Sequence, residues 1–171
     1  MSRKLIKILL HLNKIIWLLS HKKYMKIQVF LLAKYGVLIQ GKPKYIAATS
    51  TFDITRRSCV TIGDEVVISG DVRILTHDFS ISRALIAEGV LKVEDEEICT
   101  FRNVTVEENC FIGARTTILP GSYIEKNCIV GAGSVVRGRL ESGGIYIGNP
   151  AVRVSSVSEY VEKYRRQNVI V

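Results

Sequence analysis

From Val106 to Val136 an aliphatic side chain returns at every sixth residue, and few folds accept that spacing. The positions are Val106, Ile112, Ile118, Ile124, Val130 and Val136, without a slip. Four residues after each of the first five stands a small residue: Cys110, Thr116, Ser122, Cys128 and Ser134. The same beat occurs earlier at Ile62, Ile68 and Ile74, with Val66 and Val72 in the small slot. An α-helix repeats about every 3.6 residues and a strand every two, so a period of six suits neither. A fixed hexad is the sequence form of a parallel β-helix. Three hexads close one triangular coil, which stacks each aliphatic residue on the one eighteen positions before it. Neighbouring coils bury each other's apolar corners, so the stack shares one core. The chain therefore reads as mainly β, a single solenoid with short appendages.

Charge separates one appendage from the rest. The formal net charge is +8, yet residues 1–44 hold ten of the 24 Lys and Arg and no Asp or Glu. All 16 acidic residues fall in the remainder, against 14 basic ones. No nucleic-acid motif accompanies this basic arm, so no nucleic-acid partner is expected. Residues 4–20 predict an amphipathic helix. Lys4, Lys7, His11 and Lys14 line one side, and Leu5, Leu9, Leu12, Ile16 and Leu19 another. A second helix is expected from about Lys22 to Tyr35, stopped by Gly36. The favoured role for both is covering a raw strand edge at one end of the solenoid, or an oligomer contact. The other is peripheral membrane contact through residues 1–35, because a lysine face opposite Leu, Ile and Trp suits a bilayer surface.

The expected division is a basic helical arm at 1–44, the β-helix at 45–154 and a helical tail at 155–171. The phase of the repeat is irregular around Phe52–Cys59. Residues 79–103 break the repeat and carry Glu88 and the acidic run Glu94-Asp95-Glu96-Glu97. A surface loop on the binding face is expected there. The tail predicts a short helix over Glu159–Gln167 with Ser158 as N-cap, and Val169-Ile170-Val171 beyond it. Cys59, Cys99, Cys110 and Cys128 form no CxxC pair and no zinc spacing. Cys110 and Cys128 are expected to stack as buried thiols in adjacent coils, which fits a reducing cytoplasmic location. Neither a secretory signal nor a transmembrane span is expected.

His11 and His21 lie on the arm and read as surface residues. His77 differs, because it follows a regular coil and immediately precedes the insertion, where a side chain can leave the packed interior. Around it the order of motifs is informative. Val60-Thr61-Ile62-Gly63-Asp64-Glu65-Val66 is followed by Ile74-Leu75-Thr76-His77-Asp78 and then, past the insertion, by Phe111-Ile112-Gly113-Ala114. Next come Ile118-Leu119-Pro120-Gly121, Val130-Gly131-Ala132-Gly133-Ser134-Val135-Val136 and Gly148-Asn149-Pro150-Ala151. Over roughly residues 45–154 this series resembles the hexapeptide-repeat acyltransferases, and among them the sugar and polysaccharide O-acetyltransferases.

The resemblance implies a left-handed parallel β-helix and a homotrimer whose clefts are each shared by two subunits. It implies transfer of an acetyl group from acetyl-coenzyme A to a hydroxyl of a sugar or surface polysaccharide, in the cytoplasm or at the inner face of the membrane. His77 is the implied general base. An imidazole, which titrates near about 6.5 in model peptides, can take a hydroxyl proton at neutral pH. Direct attack on the thioester needs neither an enzyme nucleophile nor a metal. Asp78 and Asp53 are candidates for orienting the imidazole or touching the acceptor. Asp78 is nearest in sequence, but adjacent strand residues point opposite ways. A main-chain carbonyl or an acid from the insertion competes with it. Asp53 falls where related sugar acetyltransferases place an acceptor-touching Asn or Asp. Gly113, Ala114, Ala132 and Gly133 are implied along the pantetheine arm, where main-chain N–H groups serve the oxyanion. Arg137, Arg139 and Arg153 are candidates for the coenzyme's phosphates, with the family pattern altered at Arg137-Gly138-Arg139 and the basic residue after Ala151 arriving one position late at Arg153. N-acetylation of an amino-sugar nucleotide and a non-catalytic scaffold remain as alternatives. Hydration chemistry of the carbonic-anhydrase kind needs three histidine ligands, and only His77 lies within the repeats.

Overall fold

The structure is a computed structural model and describes residues 2–167. Two helices come first, α1 (Arg3–Leu19) and α2 (His21–Tyr35). Ser2 caps α1 through its hydroxyl, Ser20 caps α2 in the same way, and Gly36 ends α2 with a φ of 123°. The chain then winds through three sheets in strict rotation. The first coil is β1 (Leu38–Ile39), β2 (Tyr45–Ile46) and β3 (Thr51–Phe52). The second is β4 (Val60–Ile62), β5 (Val67–Ile68) and β6 (Arg73–Ile74). An excursion follows, made of β7 (His77–Asp78), α3 (Ser80–Ala87) and β8 (Thr100–Phe101). The third coil is β9 (Val104–Val106), β10 (Phe111–Ile112) and β11 (Thr117–Ile118), and the fourth is β12 (Tyr123–Ile124), β13 (Ile129–Val130) and β14 (Val135–Val136). β15 (Arg139–Leu140) and β16 (Gly144–Ile147) begin a fifth. β17 (Val152–Ser156) folds back antiparallel on β16, and α4 (Val157–Arg166) closes the described chain.

Sheet order follows directly from this winding. One sheet runs β1-β4-β9-β12-β15, a second carries β2, β5, β10, β13 and β16 in sequence order with β17 outermost, and a third runs β3-β6-β11-β14. Every pairing along the coils is parallel, so the molecule is a parallel β-helix. Thr105 pairs with Tyr123, Phe111 with Ile129 and Thr117 with Val135, the eighteen-residue offset that three hexads require. Ile62, Ile68, Ile74, Val106, Ile112, Ile118, Ile124, Val130 and Val136 are all essentially sealed from solvent. Thr116 and Ser134 donate their hydroxyls to Gly131 O, and Ser122 to Leu119 O, so the small slot stays polar at no unsatisfied expense.

The structure departs from sequence expectation in four places. The first strand, Leu38–Ile39, lies ahead of residue 45 and already pairs with β4. Around Phe52–Cys59 the register survives, because Phe52 pairs with Ile74 and the surplus residues bulge out after Asp53. The excursion is not a plain loop: it carries α3, tied to the returning chain by Ser82, which donates to Ile98 O and accepts from Ile98 N–H. At the far end, Ser156 and not Ser158 is the N-cap of α4, in a capping box with Glu159. Val169-Ile170-Val171 lie outside the described residues.

The arm belongs to the same core. Ile6, Tyr24, Met25, Leu31, Leu32 and Tyr35 pack into one cluster with Ile46, Phe52 and Ile54 of the first coil. The Tyr24 hydroxyl donates to Ile46 O, and Asn13 donates to Gln28 inside the helix pair. Burial of Tyr24 pushes its phenol up. The first coil's open edge is thereby covered by helix, as an exposed strand edge requires.

Candidate active site

His77 sits where the solenoid lets go of the chain. It leaves the third sheet just after β6 and pairs across the base of the excursion with Phe101. The short ribbon β7–β8 holds it there, and Arg102 N–H donating to Thr76 O pins the return. The ring is about one third exposed. Phe79 meets it edge-on at 5.4 Å and Phe101 lies at 6.4 Å, so two aromatic walls restrict its rotation.

The carboxylate partner is Asp53. Its Oδ2 forms a short hydrogen bond with His77 Nδ1. The same oxygen accepts from Thr76 N–H at 3.0 Å, while the Thr76 hydroxyl donates to Asp53 O at 2.8 Å. Thr76 is fully buried, so it fixes Asp53, which in turn fixes the ring. With Nδ1 bound to a carboxylate, the neutral imidazole carries its proton on Nδ1 and presents a lone pair at Nε2. Among the described residues no hydrogen bond engages Nε2. Asp78 does not orient the ring. It accepts from Ser80 N–H at 2.8 Å, and that bond, helped less by nearby Arg137, holds its carboxyl below the usual carboxylate range.

Gly113, Ala114, Ala132 and Gly133 come together at the corner between the second and third sheets. Gly133 N–H donates to Ala114 O at 2.8 Å. A Cβ on Gly113 would strike the main chain of Gly131 and Ala132, so no larger residue fits between these coils. Gly133 has a φ of 71°, and open space lies where its Cβ would be. Among the described residues the N–H groups of Ala114 and Ala132 donate to no carbonyl. The corner precedes the strands of the third sheet and His77 follows them, so within one protomer the two lie at opposite ends of those strands.

The three arginines diverge. Arg137 follows β14 and lies on the side of Asp78. Arg139 is on the first sheet, ion-paired with Glu125 and stacked over the Tyr123 ring at 4.7 Å. Arg153 is on β17, 3.8 Å from Glu141. Sequence reading missed Thr76, Phe79 and Phe101. Thr76 stood inside the quoted histidine motif, and nothing in the sequence pointed to the two phenylalanines. Among the described residues no three His, Cys, Asp or Glu side chains converge as metal ligands.

The repeats match the family described as bacterial transferase hexapeptide (six repeats) over residues 103–138. Protein CapG of Staphylococcus aureus is 30% identical over 130 residues, covering 76% of this chain and 72% of that protein. The chain belongs to the hexapeptide-repeat transferase family. Within it, the putative lipopolysaccharide biosynthesis O-acetyl transferase WbbJ of Escherichia coli (strain K12) is 30% identical over 95 residues, 54% of this chain and 47% of that one. Gamma carbonic anhydrase 2, mitochondrial, of Arabidopsis thaliana is 28% identical over 121 residues, 68% of this chain. The chain spans only 38% of that relative's length. The solved structure of a galactoside acetyltransferase in complex with coenzyme A superposes with a TM-score of 0.62, over 94% of this chain and 81% of the other. At 16% identity that likeness is one of fold.

Proposed function

We propose that this family member transfers an acetyl group from acetyl-coenzyme A to a hydroxyl of a sugar or growing surface polysaccharide. The observation that carries the reading is the Asp53–His77 pair, which leaves Nε2 of a partly exposed ring as the base beside the excursion. In the proposed step the acceptor oxygen attacks the thioester carbon as Nε2 takes its proton. The tetrahedral oxyanion collapses, the carbon–sulfur bond breaks, and the imidazolium returns the proton to the departing thiolate. The N–H groups of Ala114 and Ala132, which donate to no carbonyl among the described residues, suit the pantetheine amides and the oxyanion. The coils wind left-handed in this reading, as the family resemblance implies, and the enzyme is a homotrimer. Separation of His77 from the Gly113–Ala132 corner within one protomer supports a cleft completed by a neighbouring subunit. The polysaccharide acceptor rests on the names of relatives such as WbbJ. Catalysis in the cytoplasm, where acetyl-coenzyme A is made, belongs to the same proposal.

The test is incubation with labelled acetyl-coenzyme A and three acceptor sets: free sugars, lipid-linked sugars and amino-sugar nucleotides. Label in base-labile ester on a sugar is the expected result. Label confined to amide on the amino-sugar nucleotides would replace the reading with N-acetylation. No turnover together with no coenzyme A binding by calorimetry would leave a scaffold.

A further inference from the structure

Helix α1 is apolar over more of its surface than the protein itself covers. Ile6 and Asn13 are buried, and Leu9, Leu10 and Ile16 pack beside them. Leu5, Ile8, Leu12, Ile15 and Leu19 follow one another at i, i+3, i+7, i+10 and i+14, which makes a second stripe alongside the first. This one faces solvent, with Ile8 56%, Leu12 51%, Ile15 60% and Leu19 82% exposed. Single exposed aliphatic residues are ordinary on a protein surface, but an unbroken row along a whole helix marks a contact.

The borders of the stripe identify what it contacts. Lys4 and His11 run along one edge, with Lys7 and Lys14 behind them. On the other edge Lys23 and Lys26 of α2 share a hollow with Ile16, Leu19 and Ile27. Among the described residues Lys4, Lys14, Lys23 and Lys26 enter no ion pair, and residues 1–44 contain no acid to supply one. Two such arms laid against each other would oppose like charges, so a second copy of α1 is a poor occupant. A surface with an apolar interior and an anionic skin is a good one. Among the described residues no helix is long and apolar enough to cross a membrane, so the contact lies in the plane of the interface.

We propose that the exposed stripe of α1 docks on an anionic lipid bilayer. Its aliphatic side chains enter the boundary between headgroups and acyl chains, and the flanking lysines meet the lipid phosphates. The first stripe stays packed against α2 and the core cluster, so docking requires no rearrangement of the arm. This inference does not depend on the acetyl-transfer reading and is tested without it.

The test is flotation of the full-length protein with vesicles of phosphatidylcholine alone, or of equimolar phosphatidylcholine and phosphatidylglycerol. Binding to the anionic vesicles only, weakened by raised salt, is expected. The double variant Ile8→Ser, Ile15→Ser should lower that binding by about 100-fold, with unchanged melting. Lys4→Gln should lower it about fivefold. Three results would overturn the proposal. They are failure of the unaltered protein to float with anionic vesicles, undiminished flotation of the double-serine variant, and a fall in oligomer mass of that variant without lipid. The last would assign the stripe to a contact between copies.

Discussion

At the scale of single residues, the site turns on which atom of which side chain faces His77. Sequence order favoured Asp78 as the neighbour, and the pleat argued against it. The pleat was the better guide, because Asp78 turns away to accept from Ser80 N–H while Asp53 reaches up from the coil below. Carrying the β3–β6 register past Ile74 would put Thr55 beneath His77; the bulge after β3 and the buried Thr76 place the Asp53 carboxylate there instead. No rule of spacing predicts that. On the proposed reading, His77→Ala lowers kcat by about 10²–10⁴-fold and leaves coenzyme A affinity by calorimetry unchanged. Near-normal turnover on a verified acceptor would remove His77 from the chemistry. Asp53→Asn should lower kcat at least about tenfold with little change in KM for acetyl-coenzyme A, because it removes the carboxylate that fixes the Nδ1–H tautomer. A rise in the acceptor's KM without a kcat effect would instead make Asp53 an acceptor contact. Of the three arginines, Arg139 is committed to Glu125 and Tyr123 and Arg153 lies near Glu141, whereas Arg137 lies on the side of the third sheet. Arg137→Gln should therefore weaken coenzyme A more than dephospho-coenzyme A, measured by competition. Equal losses for the two ligands would show that the terminal phosphate is not read there.

At the scale of elements, the hexad was legible because it is a packing rule. One position per hexad must be aliphatic to fill the prism, and one must be small to let the corner turn. A third rule was invisible. Three residues after the aliphatic position the chain turns through left-handed backbone, at Glu65, Asp71, Asn109, Arg115 and Asn127 with φ between 51° and 61°, and at Gly121 and Gly133. Such a residue costs about 1–2 kcal/mol away from glycine, yet four side-chain types fill the slot besides glycine, so composition gives no signal. Asn109 donating to Asn127 at 2.8 Å shows how stacking of like corners offsets part of the strain. The excursion was legible as a break and not as a helix, since α3 is only eight residues long and its N-cap, Phe79, makes no side-chain cap bond. Shared burial along the stack has a measurable consequence. Ile118→Ala opens a cavity between Ile74 below and Val136 above, and should destabilise by about 2–5 kcal/mol in denaturant titration. A loss under about 1 kcal/mol would mean that the coils collapse onto the gap.

At the scale of the whole molecule, the basic arm and the near-neutral solenoid are one packed body with two differently committed surfaces. The sequence placed all the positive excess in residues 1–44 and offered two roles for it, as cover for a strand edge or as a membrane contact. Periodicity could not separate them, because both demand apolar side chains at helical spacing. Burial does separate them, residue by residue. Ile6 is 2% exposed inside the cluster that covers the first coil, and Ile8, two residues on, faces solvent. The pair makes a controlled comparison within a single helix, with similar propensity and the same starting side chain. Ile6→Ala should destabilise by about 2–5 kcal/mol, as for a buried large-to-small change. For a chain of this size that lowers the melting midpoint by about 2–4 °C per kcal/mol. Ile8→Ala should stay within about 0.5 kcal/mol. Thermal melting of both variants in lipid-free buffer, with mass measured by light scattering, reads the two surfaces separately. Equal melting of the two would mean that α1 does not hold the first coil, and a mass change confined to Ile8→Ala would put its outer face in an oligomer contact.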